Sequence, residues 1–197
     1  MPRFAREHEF DREISEAARD YRVPVAMLKA IIAAESAFNP RAYRYEAHIN
    51  DASYGLMQLL YRTAQSLGYV GKPDGLYNPR ANIRLGAAYM ADNLRTAAGN
   101  GYGMESAISA YNGGFSGVRR GDGKRTTNAP GAPFINQAYV NKVLALMQYF
   151  GGAGAGAQPL STVTINAPAP ASYTPKPGIP LVAVAALVFV LALTFRR

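Results

Sequence analysis

From Ala30 to Gln58 the chain reads AIIAAESAFNPRAYRYEAHINDASYGLMQ, and this stretch decides how the rest is read. It opens as an apolar helix carrying one carboxylate, Glu35, just before Asn39-Pro40 breaks the pattern. A serine–glycine turn at Ser53 and Gly55 then opens a second apolar run containing Gln58. A lone acid among Ile31, Ile32, Ala33, Ala34 and Phe38 is hard to ionise, because desolvation disfavours the charged form and raises a carboxyl pKa. A carboxyl still protonated near neutral pH is what a general acid requires. The plain alternative is a helix-end glutamate turned to solvent.

Upstream, Phe10, Ile14, Ala17, Ala18 and Tyr21 recur at helical spacing and predict an amphipathic first helix. Pro24 suits the first turn of the helix that carries Met27, Leu28, Ile31 and Ile32. Downstream, residues Asn39 to Tyr54 read as irregular, and Leu56 to Leu67 as helix with Gly68 as its cap. Asn78-Pro79 starts another helix, with Ile83, Leu85, Ala88, Tyr89, Met90 and Leu94 at its apolar positions, ending near Gly99. Glu105 to Tyr111 reads as a short helix, Phe115 to Pro133 as a surface loop, and Ile135 to Phe150 as a closing helix. No convincing two-residue alternation appears, so the fold class expected is all-α. The globular domain is placed at residues 1–150.

From Gly151 the composition changes. GGAGAGA and a Pro/Ala/Ser/Thr-rich stretch, residues 151–178, read as a flexible linker. Ile179 to Phe195 carries no charge, and Arg196-Arg197 follow. A bilayer takes about 17–25 apolar residues to cross, so residues 179–197 read as a transmembrane anchor with its basic end. The N-terminus is charged and has no apolar run, so no secretory signal is read there.

The chain has no cysteine, which excludes disulfides and thiolate metal sites. His8 and His48 stand in no metal-ligand spacing, so neither metal nor cofactor is expected. The net charge of +8 is spread along the chain rather than clustered. That pattern fits an anionic polymer such as a cell wall, and no nucleic-acid partner is expected.

Four blocks occur in order: ESAFNP from Glu35, SYGLMQ from Ser53, LYNPRANIRLGAAYM from Leu76, and SAYNGG from Ser109. Together they resemble the lytic transglycosylase (SLT-type) domain, related to goose-type lysozyme, over residues of about 20 to 145. The resemblance implies a lysozyme-like fold. It also implies cleavage of the bond between N-acetylmuramic acid and N-acetylglucosamine in peptidoglycan, leaving a 1,6-anhydro sugar. Glu35 would be the single acid and base, working with the substrate's own acetamido group. Most glycosidases use two carboxylates, and substrate-assisted enzymes are the exception.

Under that resemblance Gln58 offers an amide to an N-acetyl group, and Tyr111 holds the reacting acetamido group. Asn112 fixes the turn after it. Met57 packs against the sugar's apolar face or fills the core. Ser53 contacts Glu35 or the substrate, or caps a helix. Gly55 lets the backbone turn and approach a sugar closely. Tyr139 resembles a late family tyrosine near the acid, but Asn136-Gln137 stand where the family carries an acidic residue and threonine. Asp51 is either a loop residue making local backbone bonds or a second carboxylate that would make the enzyme a hydrolase. A non-catalytic wall-binding or structural role is the rival from another class.

An anchor without an export signal suits a bacteriophage whose virion contains a membrane. The enzyme would then open the wall during genome delivery, tethered through residues 179–195 beside other virion membrane proteins. A bacterial cell-envelope location is the alternative.

Overall fold

In the computed structural model, which describes residues 3–115, 134 and 136–152, the helix that carries Glu35 is the innermost element. This helix, α2 (Val25–Ser36), buries Met27, Leu28, Ala30, Ile31 and Ile32 almost completely. A helix that is apolar all round must lie inside a core. Helix α1 (Asp11–Tyr21), α4 (Pro79–Gly99), α5 (Met104–Gly113) and α6 (Gln137–Gly152) surround it, and the short α3 (Tyr61–Ser66) lies to one side. α6 and α1 pack on α2, while α4 packs on α1 and α5. Lys29, the buried cation of α2, ends 2.6 Å from Asp11.

The chain leaves α2 through two left-handed residues, Ala37 (φ 50°) and Phe38 (φ 64°). For residues other than glycine this conformation costs roughly 1–2 kcal/mol each. Burial of the Phe38 ring against Phe4 and Phe150, at centroid distances of 5.7 and 6.0 Å, offsets that cost. The N-terminal segment is clasped in turn. Buried Glu7 accepts hydrogen bonds from the Arg3 and Phe4 amides and from the Tyr149 hydroxyl of α6.

The all-α expectation requires correction. The fold is mostly helical, but β1 (Tyr43–Glu46), β2 (Asp51–Tyr54) and β3 (Leu59–Leu60) form an antiparallel sheet in the order β1-β2-β3. Asn50, left-handed at φ 47°, turns the chain between the first two strands. Tyr43 pairs with Tyr54, Arg44 with Ser53, and Glu46 with Asp51. The helix expected from Leu56 begins only at Tyr61, because Gly55 (φ 71°) and Gln58 (φ 45°) bend the backbone first.

The other helices lie close to their expected limits. Asn78 caps α4 by accepting a hydrogen bond from the Ala81 amide, with Pro79 in the first turn. Gly151 and Gly152, read from sequence as the start of the linker, are instead the last residues of α6. Among the described residues no helix is long and apolar enough to cross a membrane. The rest of the expected linker, the 179–197 anchor and the loop from 116 to 133 lie outside the described residues.

Candidate active site

The turn SYGLMQ is held by α4. Buried Asn82 accepts a hydrogen bond from the Met57 amide at 2.8 Å through Oδ1. Its Nδ2 donates to the carbonyls of Tyr54 (2.8 Å) and Leu76 (2.9 Å). One turn further along the same helix face, Gly86 makes room for the Met57 side chain. A Cβ there would come within 2.2 Å of the Met57 sulfur. Ser36 Oγ, at the end of α2, donates to the Leu56 carbonyl at 2.7 Å and ties the turn to the helix of Glu35.

Glu35 therefore stands at the C-terminal end of a buried helix, with a fixed turn on one side. On the other side, the Tyr139 hydroxyl of α6 donates to Glu35 Oε1 at 2.7 Å. Burial pushes the Glu35 carboxyl above its ordinary pKa. The Tyr139 hydrogen bond and the charges of Arg44 and Lys142 oppose that rise, and the charge of Glu46 adds to it. The partial negative charge of a helix C-terminus also disfavours a carboxylate there. Lys142 Nζ caps the same end of α2, donating to the Ala34 carbonyl at 2.7 Å.

Phenols line this pocket. Burial and the nearby Glu35 charge hold the Tyr111 and Tyr139 hydroxyls well above the usual phenol pKa, so both remain neutral donors. Tyr111 donates to the Met57 carbonyl at 3.0 Å, and its ring lies 5.1 Å from that of Tyr89 on α4. Tyr89, read from sequence only as an apolar helix position, is thus part of the wall of aromatic rings behind the acid.

The helix α6 reaches Glu35 because Asn136 docks it on α5. Its Oδ1 accepts from Ser109 Oγ at 2.7 Å, and its Nδ2 donates to the Ser109 carbonyl at 2.9 Å and to Asn112 Oδ1 at 3.1 Å. Gln137 Oε1 accepts from the Phe134 amide. A single neutral amide, bonded reciprocally to Ser109, therefore docks the helix.

Three of the expected site residues make their contacts with protein, and Met57 takes the second of its two expected roles. Met57 has no exposed side-chain surface and packs in the core, so it presents no face to a sugar. Gly55 makes its close approach to protein: a Cβ would lie 2.6 Å from the Leu76 carbonyl oxygen and 2.7 Å from Asn82 Nδ2. Ser53 is buried in β2 rather than at a helix start, and its Oγ lies 3.5 Å from Glu46, not beside Glu35. Gln58 donates through Nε2 to the carbonyls of Ala42 and Gly55, which leaves its Oε1 as an acceptor. Asn112 is exposed at the end of α5.

Asp51 makes local backbone bonds, accepting from the Ala52 amide and from the Arg62 amide in the first turn of α3. The carboxylate whose charge reaches Glu35 is Glu46, which sequence reasoning missed. Arg44 Nε donates to Glu46 Oε1 at 2.6 Å. The alternation of Arg44 and Glu46 with Tyr43 and Tyr45 was the signal for it. Among the described residues no group of three or more His, Asp or Glu is arranged to hold a metal ion.

Comparison with known proteins gives a consistent result. The family model described as "Transglycosylase SLT domain" matches residues 12–132. Membrane-bound lytic murein transglycosylase C of Shigella sonnei is 34% identical over 129 residues, covering 58% of this chain and 34% of that protein. The protein of the same name from Actinobacillus pleuropneumoniae is 34% identical over 119 residues, covering 53% of this chain and 30% of that one. The chain thus spans about a third of the length of these curated relatives. An X-ray structure of an inactive mutant of the lytic transglycosylase Slt from Pseudomonas aeruginosa shares the fold. Its TM-score is 0.60 at 24% identity, over 80% of this chain and 26% of that one.

Proposed function

The chain belongs to the transglycosylase SLT domain family, and from that membership we propose that it is a lytic transglycosylase acting on peptidoglycan. The observation that carries this reading is the partly buried Glu35 carboxyl, raised in pKa by its surroundings and hydrogen-bonded to Tyr139 at 2.7 Å.

Protonated Glu35 gives its proton to the oxygen linking N-acetylmuramic acid to N-acetylglucosamine. The acetamido carbonyl of the muramic residue attacks the anomeric carbon as that bond breaks. Ionised Glu35 then takes the proton of the sugar's 6-hydroxyl, and that oxygen displaces the acetamido group to close a 1,6-anhydro ring. No water is consumed, and the carboxyl ends as it began. Tyr139 occupies Oε1, so Oε2 is the oxygen for proton transfer. Its hydrogen bond strengthens when Glu35 is ionised, which supports the step in which the carboxylate acts as base. With its Nε2 donating to protein carbonyls, Gln58 offers its Oε1 to an N-acetyl N–H.

Mass spectrometry of sugars released from purified peptidoglycan tests this reading, beside a Glu35→Gln control. Anhydro-muramyl products from the parent alone are expected. Reducing-end products would favour the second reading, a muramidase, in which Glu46 rather than Asp51 supplies the second carboxylate. Wall binding with no release from either protein would favour a non-catalytic role.

We place the enzyme at a membrane, held through residues 179–195, with the following setting a bacteriophage virion that opens the wall during genome delivery. The cell envelope is the other setting, in keeping with the membrane-bound relatives. Flotation of the full chain with lipid vesicles, beside a chain ending at residue 178, tests the anchor. Its detection in purified virions tests the setting.

A further inference from the structure

Strand alternation splits the sheet into two chemically different faces. Arg44, Glu46 and Ser53 share the face whose charges act on Glu35. Tyr43, Tyr45, Ala52 and Tyr54 share the other. On that reverse face Tyr43 and Tyr45 are each 55% exposed, although both are large rings on a well-paired strand. Tyr43 stands edge-to-face with Tyr54 at 5.4 Å, and Tyr54 with Tyr77 at 5.6 Å. The Arg41 guanidinium lies over Tyr77 at 5.5 Å and is itself exposed. Tyr45 is steadied by its hydroxyl, which donates to Asn50 Oδ1 at 2.7 Å. The result is a row of tyrosines ending in a cation, and the site around Glu35 uses none of it.

We propose that this tyrosine row is a second binding surface for peptidoglycan, on which a glycan strand lies outside the cleft of Glu35. The proposal rests on the function given above and names where the polymer is held away from the reacting bond. The C–H faces of pyranose rings stack on exposed aromatic faces, and phenol hydroxyls meet sugar hydroxyls and acetamido groups. Tyrosine suits such a contact because it offers a large apolar face and a polar tip at little cost in side-chain entropy. Tyr43 and Tyr45, two residues apart on one strand, have backbone positions about 6.6 Å apart on the same face. Arg41 at the end of the row complements the carboxylates of the peptide stems. Asp74 lies near Tyr54 and Tyr77 and keeps the row from being a purely basic surface.

The test uses the full chain carrying Glu35→Gln, so that bound wall is not consumed. Its sedimentation with purified sacculi is compared with that of the same chain also carrying Tyr43→Ala and Tyr45→Ala. Binding weaker by roughly five- to tenfold is expected. Tyr43→Phe with Tyr45→Phe should restore most of it, which a folding defect in the alanine pair would also have to explain. In chains with Glu35 intact, the alanine pair should turn over a soluble muropeptide tetrasaccharide as the parent does and lose activity on sacculi. Unchanged sacculus binding would overturn the proposal, as would an equal loss on the soluble substrate. Recovery of binding to a thymidine oligonucleotide but not to sacculi would overturn it in favour of a nucleic acid. If the parent cleaves neither substrate the proposed activity fails, and the sacculus experiment still reports on the tyrosine row.

Discussion

Tyr139 and Glu35, 104 residues apart in the sequence, are joined by a 2.7 Å hydrogen bond. The tyrosine is the group that responds to the charge on the acid, since it binds the ionised carboxylate more strongly than the protonated form. Replacing Tyr139 by Phe keeps the ring's packing and removes only this bond. A hydrogen bond to a charged group contributes about 1.5–3 kcal/mol, so kcat/KM should fall roughly 10- to 150-fold. The bond also lowers the Glu35 pKa, so its loss should move the basic limb of the pH profile to higher pH. A profile that drops in height without moving would mean that Tyr139 only packs.

The charges facing Glu35 are Arg44 and Glu46 from β1 and Lys142 from α6, with Tyr139 as the neutral partner. Glu46→Gln removes a negative charge, which eases ionisation of Glu35 and should shift the basic limb to lower pH. Arg44→Met removes a positive charge and should shift it to higher pH. Two neighbours on one strand face would thus act in opposite directions. A purely structural disturbance would move both profiles the same way, and that outcome would rule out the electrostatic account.

Burial of Glu35 has a consequence for stability. Its folded-state pKa lies above the ordinary value near 4.5. Its protonated form is therefore favoured in the folded protein, and that contribution is complete below the unfolded pKa. It is lost as pH rises through the folded value. Glu35→Gln should leave stability nearly unchanged at pH 4 and increase it relative to the parent at pH 8. Urea unfolding at the two pH values measures this. Equal differences at both would show that the acid is not strained by its surroundings.

The Gly86–Met57 contact can be tested as a pair. Gly86→Ala places a Cβ 2.2 Å from the Met57 sulfur and should cost about 1–3 kcal/mol by overpacking. Met57→Ala alone should cost about 2–5 kcal/mol by leaving a cavity. Combined, the two should cost clearly less than their sum, because each relieves the other. Additive losses in urea unfolding would contradict the contact.

The helices were legible because their apolar spacing and caps act locally: Ile14 and Ala17 in α1, Asn78-Pro79 at the start of α4. The end of α2 was legible in Asn39-Pro40. The sheet was not, since its strands are two to four residues long and are completed by turns that depend on tertiary contacts. Gln58 illustrates this: its left-handed backbone is fixed by bonds from its own amide to Ala42 and Gly55, partners that no local pattern reveals. Asn82 sat in a recognisable block, but its service to the turn 25 residues earlier emerges only from three hydrogen bonds. Glu35 was legible as the one acid of an apolar helix. Glu46 was hidden because an Arg-Glu alternation reads as a solvated surface until the strand register turns it toward the acid.

The docking of α6 through Asn136 and Lys142 also bears on the order in which the molecule becomes capable of chemistry. During synthesis the helix bearing Glu35 leaves the ribosome more than a hundred residues before its tyrosine partner. Until residues 137–152 arrive, that helix lacks the neighbour that covers its apolar side. Glu35 then has neither the Tyr139 hydroxyl nor the Lys142 charge beside it. In the nascent chain the acid waits on α6, because the hydroxyl of Tyr139 comes only with that helix.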